Sequence, residues 1–265
     1  MTVISVIVGS TREGRFSEKP ARWILQHLKK RDGVDARLLD LRDFPMPFFD
    51  QPATPAMPGR APYKNEAVQR WTAAIAQSDG FVFVTPEYNY GPSAVLKNAI
   101  DWDYPEWNRK AAGFVSYGSA MGARSVQQLR ETAIELQLAP VRSSVHIPVA
   151  TLWAHYRGGD VEAGLAELEA PAATLIDDLL WWTAALKTAR ARAACSPSRG
   201  DGSWSISVAF SRWWHVNYKR KGCEPEHRTR FTQSDANIRS LRVQECTNRF
   251  HAHSASRHMR NDFRS

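Results

Sequence analysis

Three short stretches of this chain combine small, hydroxylated, cationic and aromatic residues in the way a bound phosphate and a flat heterocycle require. The first is Gly9-Ser10-Thr11-Arg12-Glu13-Gly14-Arg15-Phe16-Ser17. Small residues ahead of a helix leave backbone N–H groups free to face an anion, and Arg12 and Arg15 can add charge-assisted bonds to a phosphate. Gly9 and Gly14 have the spacing of a nucleoside-triphosphate loop. However, Arg15 and Phe16 stand where that loop needs Lys and Ser/Thr, and Val84-Thr85 offers no aspartate for magnesium. The G-x-G-x-x-G pattern of dinucleotide folds is missing too. Taken singly, this loop does not exclude an ordinary solvated turn.

The second stretch is Thr85-Pro86-Glu87-Tyr88-Asn89-Tyr90-Gly91-Pro92-Ser93, leading into Leu96-Lys97-Asn98-Ala99-Ile100-Asp101-Trp102. Two prolines and a glycine fix the backbone, while Tyr88 and Asn89 supply an aromatic edge and an amide. A planar ring with N–H and C=O groups calls for that mixture. The third is Tyr117-Gly118-Ser119-Ala120-Met121-Gly122, whose small residues allow close approach of backbone to a flat ligand.

The elements that must position these loops alternate. Val3–Val8 is an apolar run of the kind parallel sheets bury on both faces. A helix follows from about Ser17, with Ala21, Ile24 (or Leu25) and Leu28 on one face. Ala36–Leu41 reads as a second strand. Six of the 15 prolines lie between Pro45 and Pro62, which predicts an extended loop. Further on come a helix near Tyr63–Ser78 with Val68, Trp71 and Ile75 aligned, a strand at Phe81–Thr85, a short helix at Ser93–Trp102 and a strand at Gly113–Tyr117. A helix after Gly122 carries Val126, Leu129, Ala133 and Leu136. A fifth strand is expected near Val145–Val149, and a last helix aligns Leu175, Leu179, Trp182 and Leu186. Five strands separated by helices imply a doubly wound, five-stranded parallel α/β sheet with helices on both faces.

Composition divides the chain at about Arg190. The net charge is +8, yet residues 1–190 hold 21 Lys+Arg against 21 Asp+Glu, and residues 191–265 hold 14 against 6. This second part has one leucine, 12 arginines and 11 serines, and contains all three cysteines (Cys195, Cys223, Cys246). It is expected to be a disordered, basic tail, or an out-of-frame extension, because it lacks the apolar surface that offsets ordering entropy. Trp204–Phe210 alternates like a strand without a partner. Cys246, His251, His253 and His258 lack the paired spacing of a zinc site, and Lys219-Arg220-Lys221 supports only incidental phosphate binding, so nucleic acid is not an expected partner. A cysteine-free body, no leader-like N-terminus and no run of ~18 apolar residues point to a soluble, cytoplasmic protein.

GSTREGR, TPEYNYGPSAVLKNAIDW and SYGSAMG, in this order and after these strands, resemble the NADPH-dependent FMN reductase family. The resemblance covers about Val3 to Val149, and Pro86–Asn89 with Leu96–Ala99 is its most specific part. It implies a flavodoxin-like fold with strand order 2-1-3-4-5 and an NAD(P)H oxidoreductase, NADPH or NADH giving hydride through bound FMN to quinones, azo compounds, metal oxyanions or free flavin. It implies that Ser10, Arg12 and Ser17, with Arg15 nearby, hold the FMN phosphate. Pro86, Glu87, Tyr88 and Asn89, with Tyr117, Gly118 and Ser119, would border the ribityl chain and ring. It also implies a homodimer or homotetramer. Ser119 stands where relatives often have a second glycine, and Tyr90 is bulkier than expected beside a flavin. No protein acid or base is required, so no catalytic residue is assigned.

Other residues receive plainer readings. Asp40 ends the second strand as a turn residue rather than a ribose ligand, since the glycine fingerprint is missing. His146 is structural. Lys97 and Asp101 face solvent or cap the short helix. Trp102, Trp107 and Trp153 belong either to the core or to an interface beside the flavin. A flavodoxin-type electron carrier is the competing function, and the zero net charge of residues 1–190 offers no acidic docking surface for it.

Overall fold

Alternation inside the apolar runs decides which face each strand residue covers. In β1 (Thr2–Val8), Ile4, Val6 and Val8 point to one side and Ile7 to the other. In β3 (Gly80–Pro86), Val82 and Val84 share the first side, while Phe81 and Phe83 share the second. In β4 (Ala111–Tyr117), Val115 and Tyr117 oppose Ala112 and Phe114. β-Branched residues thus cover one face, and aromatic residues most of the other. This period-2 division is what a strand buried on both sides requires.

The computed structural model describes residues 1–195. Its five strands, completed by β2 (Val34–Asp40) and β5 (Ala139–His146), form one parallel sheet of order β2-β1-β3-β4-β5. The β-branched face packs on α1 (Glu18–Lys29) and α7 (Glu169–Cys195), with α6 (Val161–Ala166) joining through Val161 and Leu165. The aromatic face packs on α2 (Glu66–Gln77), α3 (Ala94–Asp101) and α4 (Ala123–Glu135). Trp102 and Trp107 are core residues of that face. Caps start these helices where polar residues allow it. Asn65 accepts from Ala67 and Val68 N–H, and Ser93 accepts from Leu96 N–H.

Two expectations about elements are corrected. The fifth strand runs Ala139–His146, not Val145–Val149, and α5 (Val149–Arg157) begins where that strand was expected to end. As an edge strand with one neighbour, β5 has polar positions at Arg142, Ser143 and Ser144, and Pro140 is tolerated there. Only Val141 and Val145 carry its apolar signal. On α7 the buried stripe is Leu175, Ile176, Leu179 and Thr183, while Trp182 is 44% exposed. Thr183 Oγ1 lies so close to Gly80 that a Cβ there would meet it at 2.6 Å, a gap that admits no indole.

The last turns of α7 are tied to the sheet. Asp79 accepts from Lys187 Nζ at 2.6 Å and Arg190 Nη2 at 2.8 Å, and also from Val3 N–H. Regular helix continues past Arg190 to Cys195. The expectations for residues 196–265 fall outside the described residues: disorder, the Trp204–Phe210 alternation, the Cys246 and histidine cluster and the Lys219–Lys221 patch.

Candidate functional site

All three loops leave the carboxyl ends of β1, β3 and β4 at the middle of the sheet, where strand order reverses and open α/β sheets bind ligands. Gly9 donates to Val84 O at 2.8 Å, so close that a Cβ on residue 9 would sit 2.7 Å from that oxygen. Ser93 Oγ donates to Gly9 O at 2.5 Å, locking the first loop to the start of α3. Ser10 is buried, its hydroxyl 3.1 Å from Tyr88 Oη.

Arg15 lies buried beneath this loop. Its Nη1 donates to Ser10 O at 2.6 Å and to Asp40 Oδ1 at 2.7 Å, and its Nη2 pairs with Asp40 Oδ2. Burial opposes ionisation of Asp40, but the bonds from Arg15 and from Arg42 N–H outweigh it and hold the carboxyl below its ordinary range. Arg15 thus braces the loop from below through its two terminal nitrogens, and Asp40 is its partner. Arg12 is exposed above the loop, with Nη2 donating to Tyr156 Oη at 2.7 Å and its guanidinium 5.8 Å from the Tyr88 ring centre.

The second loop turns tightly. Tyr88 and Gly91 exchange backbone bonds of 2.9 and 3.1 Å, with Asn89 (φ 47°) and Tyr90 (φ 77°) both left-handed between them. That is the geometry of a type I′ turn, which asparagine tolerates and tyrosine adopts only under constraint. Gln128 holds Tyr90 O at 2.9 Å, and Arg124 stacks 4.6 Å from the Tyr90 ring. Tyr90 is 62% exposed at the rim. Pro86 is buried at the end of β3. Glu87 turns its carboxylate away to the start of α4, accepting from Arg124 N–H at 3.1 Å and from its guanidinium.

The third loop meets the second through Glu87 N–H, which donates to Tyr117 O at 2.8 Å. Gly118 has φ +152°, and a Cβ there would press on Glu87 Cβ at 2.9 Å, so only glycine fits. Ser116 Oγ donates to Met121 O at 2.8 Å. Since that carbonyl only accepts, Ser116 receives the Nδ1–H of His146 at 2.9 Å, and His146 Nε2 then accepts from Ser144 Oγ. His146 is a structural residue that supports the loop.

Between the loops lies an open cleft of about 430 Å³. Arg12, Glu87, Tyr88, Tyr117, Gly118 and Ser119, six residues singled out from sequence, line it together. Leu152, Trp153 and Tyr156 of α5 complete the wall. Of these, only Trp153 was considered from the sequence; the i, i+1, i+4 spacing in Val149–Arg157 was the available signal. Ser10, Arg15, Ser17 and Pro86 are buried and Asn89 is exposed, and none of the five lines the cleft. Lys97 and Asp101 pair with each other at 2.7 Å on the exposed side of α3. Among the described residues, no three His, Cys, Asp or Glu side chains converge as a metal centre would need.

The donor set fits a phosphorylated, aromatic ligand. The hydroxyls of Ser17, at the N-terminus of α1, and of Tyr117 are buried facing each other, and neither meets any other hydrogen-bonding group of the protein. Burial pushes the Tyr117 phenol well above its ordinary range, so it stays a neutral donor. A buried hydroxyl pair with one O–H left to place, beside a helix N-terminus and Arg12, suits a phosphoryl oxygen. Tyr88 and Tyr117 supply the aromatic surface.

Residues 2–151 match the family model described as NADPH-dependent FMN reductase. The chain is 40% identical over 147 residues to an NAD(P)H-dependent FMN reductase of Schizosaccharomyces pombe, covering 55% of this chain and 73% of that one. It is 32% identical over 140 residues to an NAD(P)H:quinone oxidoreductase of Solanum tuberosum, covering 51% and 69%. In fold it resembles the flavoenzyme NAD(P)H:(acceptor) oxidoreductase of Paracoccus denitrificans, with a TM-score of 0.51 at 22% identity over 69% of this chain and 97% of that one.

Proposed function

The chain belongs to the NADPH-dependent FMN reductase family, and from that premise we propose how its cleft works. FMN sits with its phosphate at Ser10, Arg12 and Ser17, and with its ring system between Pro86–Asn89 and Tyr117–Ser119. The observation that carries this placement is the buried Ser17–Tyr117 hydroxyl pair, which meets no other group of the protein. What FMN contributes when bound is the capacity to take hydride from NADPH or NADH and to give electrons to an acceptor.

The chain's own residues bind and orient. Arg12 answers phosphate charge at the surface, and Arg15 keeps the loop in shape by holding Ser10 O and Asp40. Gly118 and the turn at Asn89-Tyr90 present backbone to the flat face. No side chain needs to exchange a proton for hydride transfer, and a neutral Tyr117 is suited to donating a hydrogen bond only. Quinones are the leading acceptor class, supported by the quinone oxidoreductase relatives; azo compounds, metal oxyanions and free flavin share the same requirement for electrons. A homodimer or homotetramer belongs to this reading, supported by Trp153 and Tyr156, which are 49% and 46% exposed beside the cleft. Cytoplasmic location belongs to it too; among the described residues no helix is long and apolar enough to cross a membrane.

The test is the absorbance spectrum of the purified protein, mass spectrometry of the released cofactor, and NADPH and NADH oxidation with a quinone. Release of FMN and quinone-dependent oxidation are expected. Recovery of FAD alone, or no binding of added FMN, overturns the reading. Bound FMN without nicotinamide oxidation favours an electron carrier.

A further inference from the structure

The family match stops at residue 151, yet the cleft does not. α5 spans Val149–Arg157 and puts Tyr156 in the cleft wall beside Arg12. Two residues of this helix grip the first loop. His155 Nε2 is 3.1 Å from Gly14 O, which only accepts, so the ring donates. Tyr156 Oη accepts from Arg12 Nη2 at 2.7 Å. A relay of edge-on rings backs these bonds. His155 meets Phe16 at 5.5 Å between ring centres, and Phe16 meets Tyr117 of the third loop at 4.9 Å.

We infer that α5 is a clasp on the cofactor loops and that Tyr156 is a positioning residue, fixing Arg12 for the phosphate. This rests on the proposed role of Arg12. An exposed arginine loses rotamer freedom when it grips an anion, and fixing it beforehand removes part of that cost. Arg12 is held on two sides, by the Tyr156 hydroxyl and by the face of Tyr88. Only one of its N–H groups is spent on Tyr156, and the fork keeps donors for phosphoryl oxygens. Specificity for a phosphorylated flavin thus extends past the segment that defines the family.

The experiment titrates FMN and riboflavin into flavin-stripped full-length protein and compares Tyr156→Phe, Arg12→Ala and the double variant. Tyr156→Phe keeps the ring and removes only the hydroxyl, and circular dichroism checks its fold. FMN affinity should fall about three- to tenfold, the loss of roughly one net hydrogen bond. Riboflavin affinity should stay level, and the double variant should bind FMN no worse than Arg12→Ala. Equal losses for both ligands in Tyr156→Phe would mean mere packing and overturn the inference. So would unchanged FMN affinity there while Arg12→Ala loses FMN selectively. If Arg12→Ala weakens both ligands alike, the phosphate assignment itself fails and this inference falls with it.

Discussion

Arg15 and Asp40, 25 residues apart in sequence, form a two-pronged ion pair under the first cofactor loop, with Arg15 almost wholly enclosed. Arg15→Ala leaves the Asp40 carboxylate and the Ser10 carbonyl without their donor. Unfolding free energy should drop by about 2–3 kcal/mol, somewhat less than for a fully buried pair. Because Asp40 has its folded pKa lowered, the stability it contributes is present above the ordinary carboxylate range and fades as pH falls through the folded value. The gap between parent and variant in urea titrations should therefore narrow in acid, leaving the part owed to the Ser10 carbonyl. A gap that persists unchanged to low pH would contradict the pairing.

Arg12→Ala should behave differently, because Arg12 lies on the surface and its side chain ties the loop to α5 through one exposed hydrogen bond. FMN affinity should drop by one or two charge-assisted bonds, ~1.5–3 kcal/mol each, while riboflavin affinity and thermal midpoint stay nearly level. Paired titrations with the two flavins check this. A fall in thermal midpoint comparable to that of Arg15→Ala would show the two arginines have been assigned the wrong way round.

Gly118→Ala tests the contact between the second and third loops. The added Cβ would stand 2.9 Å from Glu87 Cβ at a φ of +152° that alanine avoids. The expected result is a flavin-poor protein with a smaller loss of global stability, about 1–3 kcal/mol, since the strain is local. Flavin content per chain and the thermal midpoint, measured together, separate the two effects. Full flavin occupancy would mean the loops do not meet this way around the ligand.

Asp103 gives a pH signature far from the cleft. Burial, reinforced by Glu106, pushes its carboxyl from 3.8 up to about 7 against the Thr72 hydrogen bond and the Arg60 charge. With the folded value raised, its contribution is complete below the unfolded pKa and is lost as pH rises toward about 7. Asp103→Asn keeps the acceptor for Thr72 and removes the titration. The variant should gain on the parent by about 1 kcal/mol per pH unit between pH ~5 and ~7, then hold a constant advantage. Parallel stability profiles across that range would refute the burial cost.

A chain ended after Ala194 should keep FMN, nicotinamide oxidation and cooperative unfolding. It retains Lys187 and Arg190, whose pairing with Asp79 anchors α7. The removed segment includes Trp213-Trp214 and the alternating 204–210 stretch, so solubility should rise. Loss of flavin or of a cooperative transition would place residues 195–265 within the fold.

Much of this protein could be read from residue order alone, and the reasons are local. β1, β3 and β4 are buried on both faces, so each shows as a mostly apolar run, broken only by small residues such as Ser5 and Ser116. The cofactor loops declare themselves because residue type is itself the constraint: Gly118 and Asn89 occupy backbone conformations that few residues accept, and Ser93 must cap α3. Strand order followed from the family pattern those loops carry. The edge strand β5 was blurred because one neighbour and a half-exposed face thin the apolar signal to Val141 and Val145. α5 was missed because it starts directly after that strand, and its aromatic residues serve the cleft rather than a buried stripe. The family pattern put Arg12 on the phosphate with Arg15 nearby, but the partners of the two arginines were beyond sequence. Both are arginines in one loop, and residue type alone does not tell them apart. Only the folded chain brings Asp40 beneath one and Tyr156 beside the other, because a side chain's partner depends on distant backbone placement rather than on its neighbours in sequence.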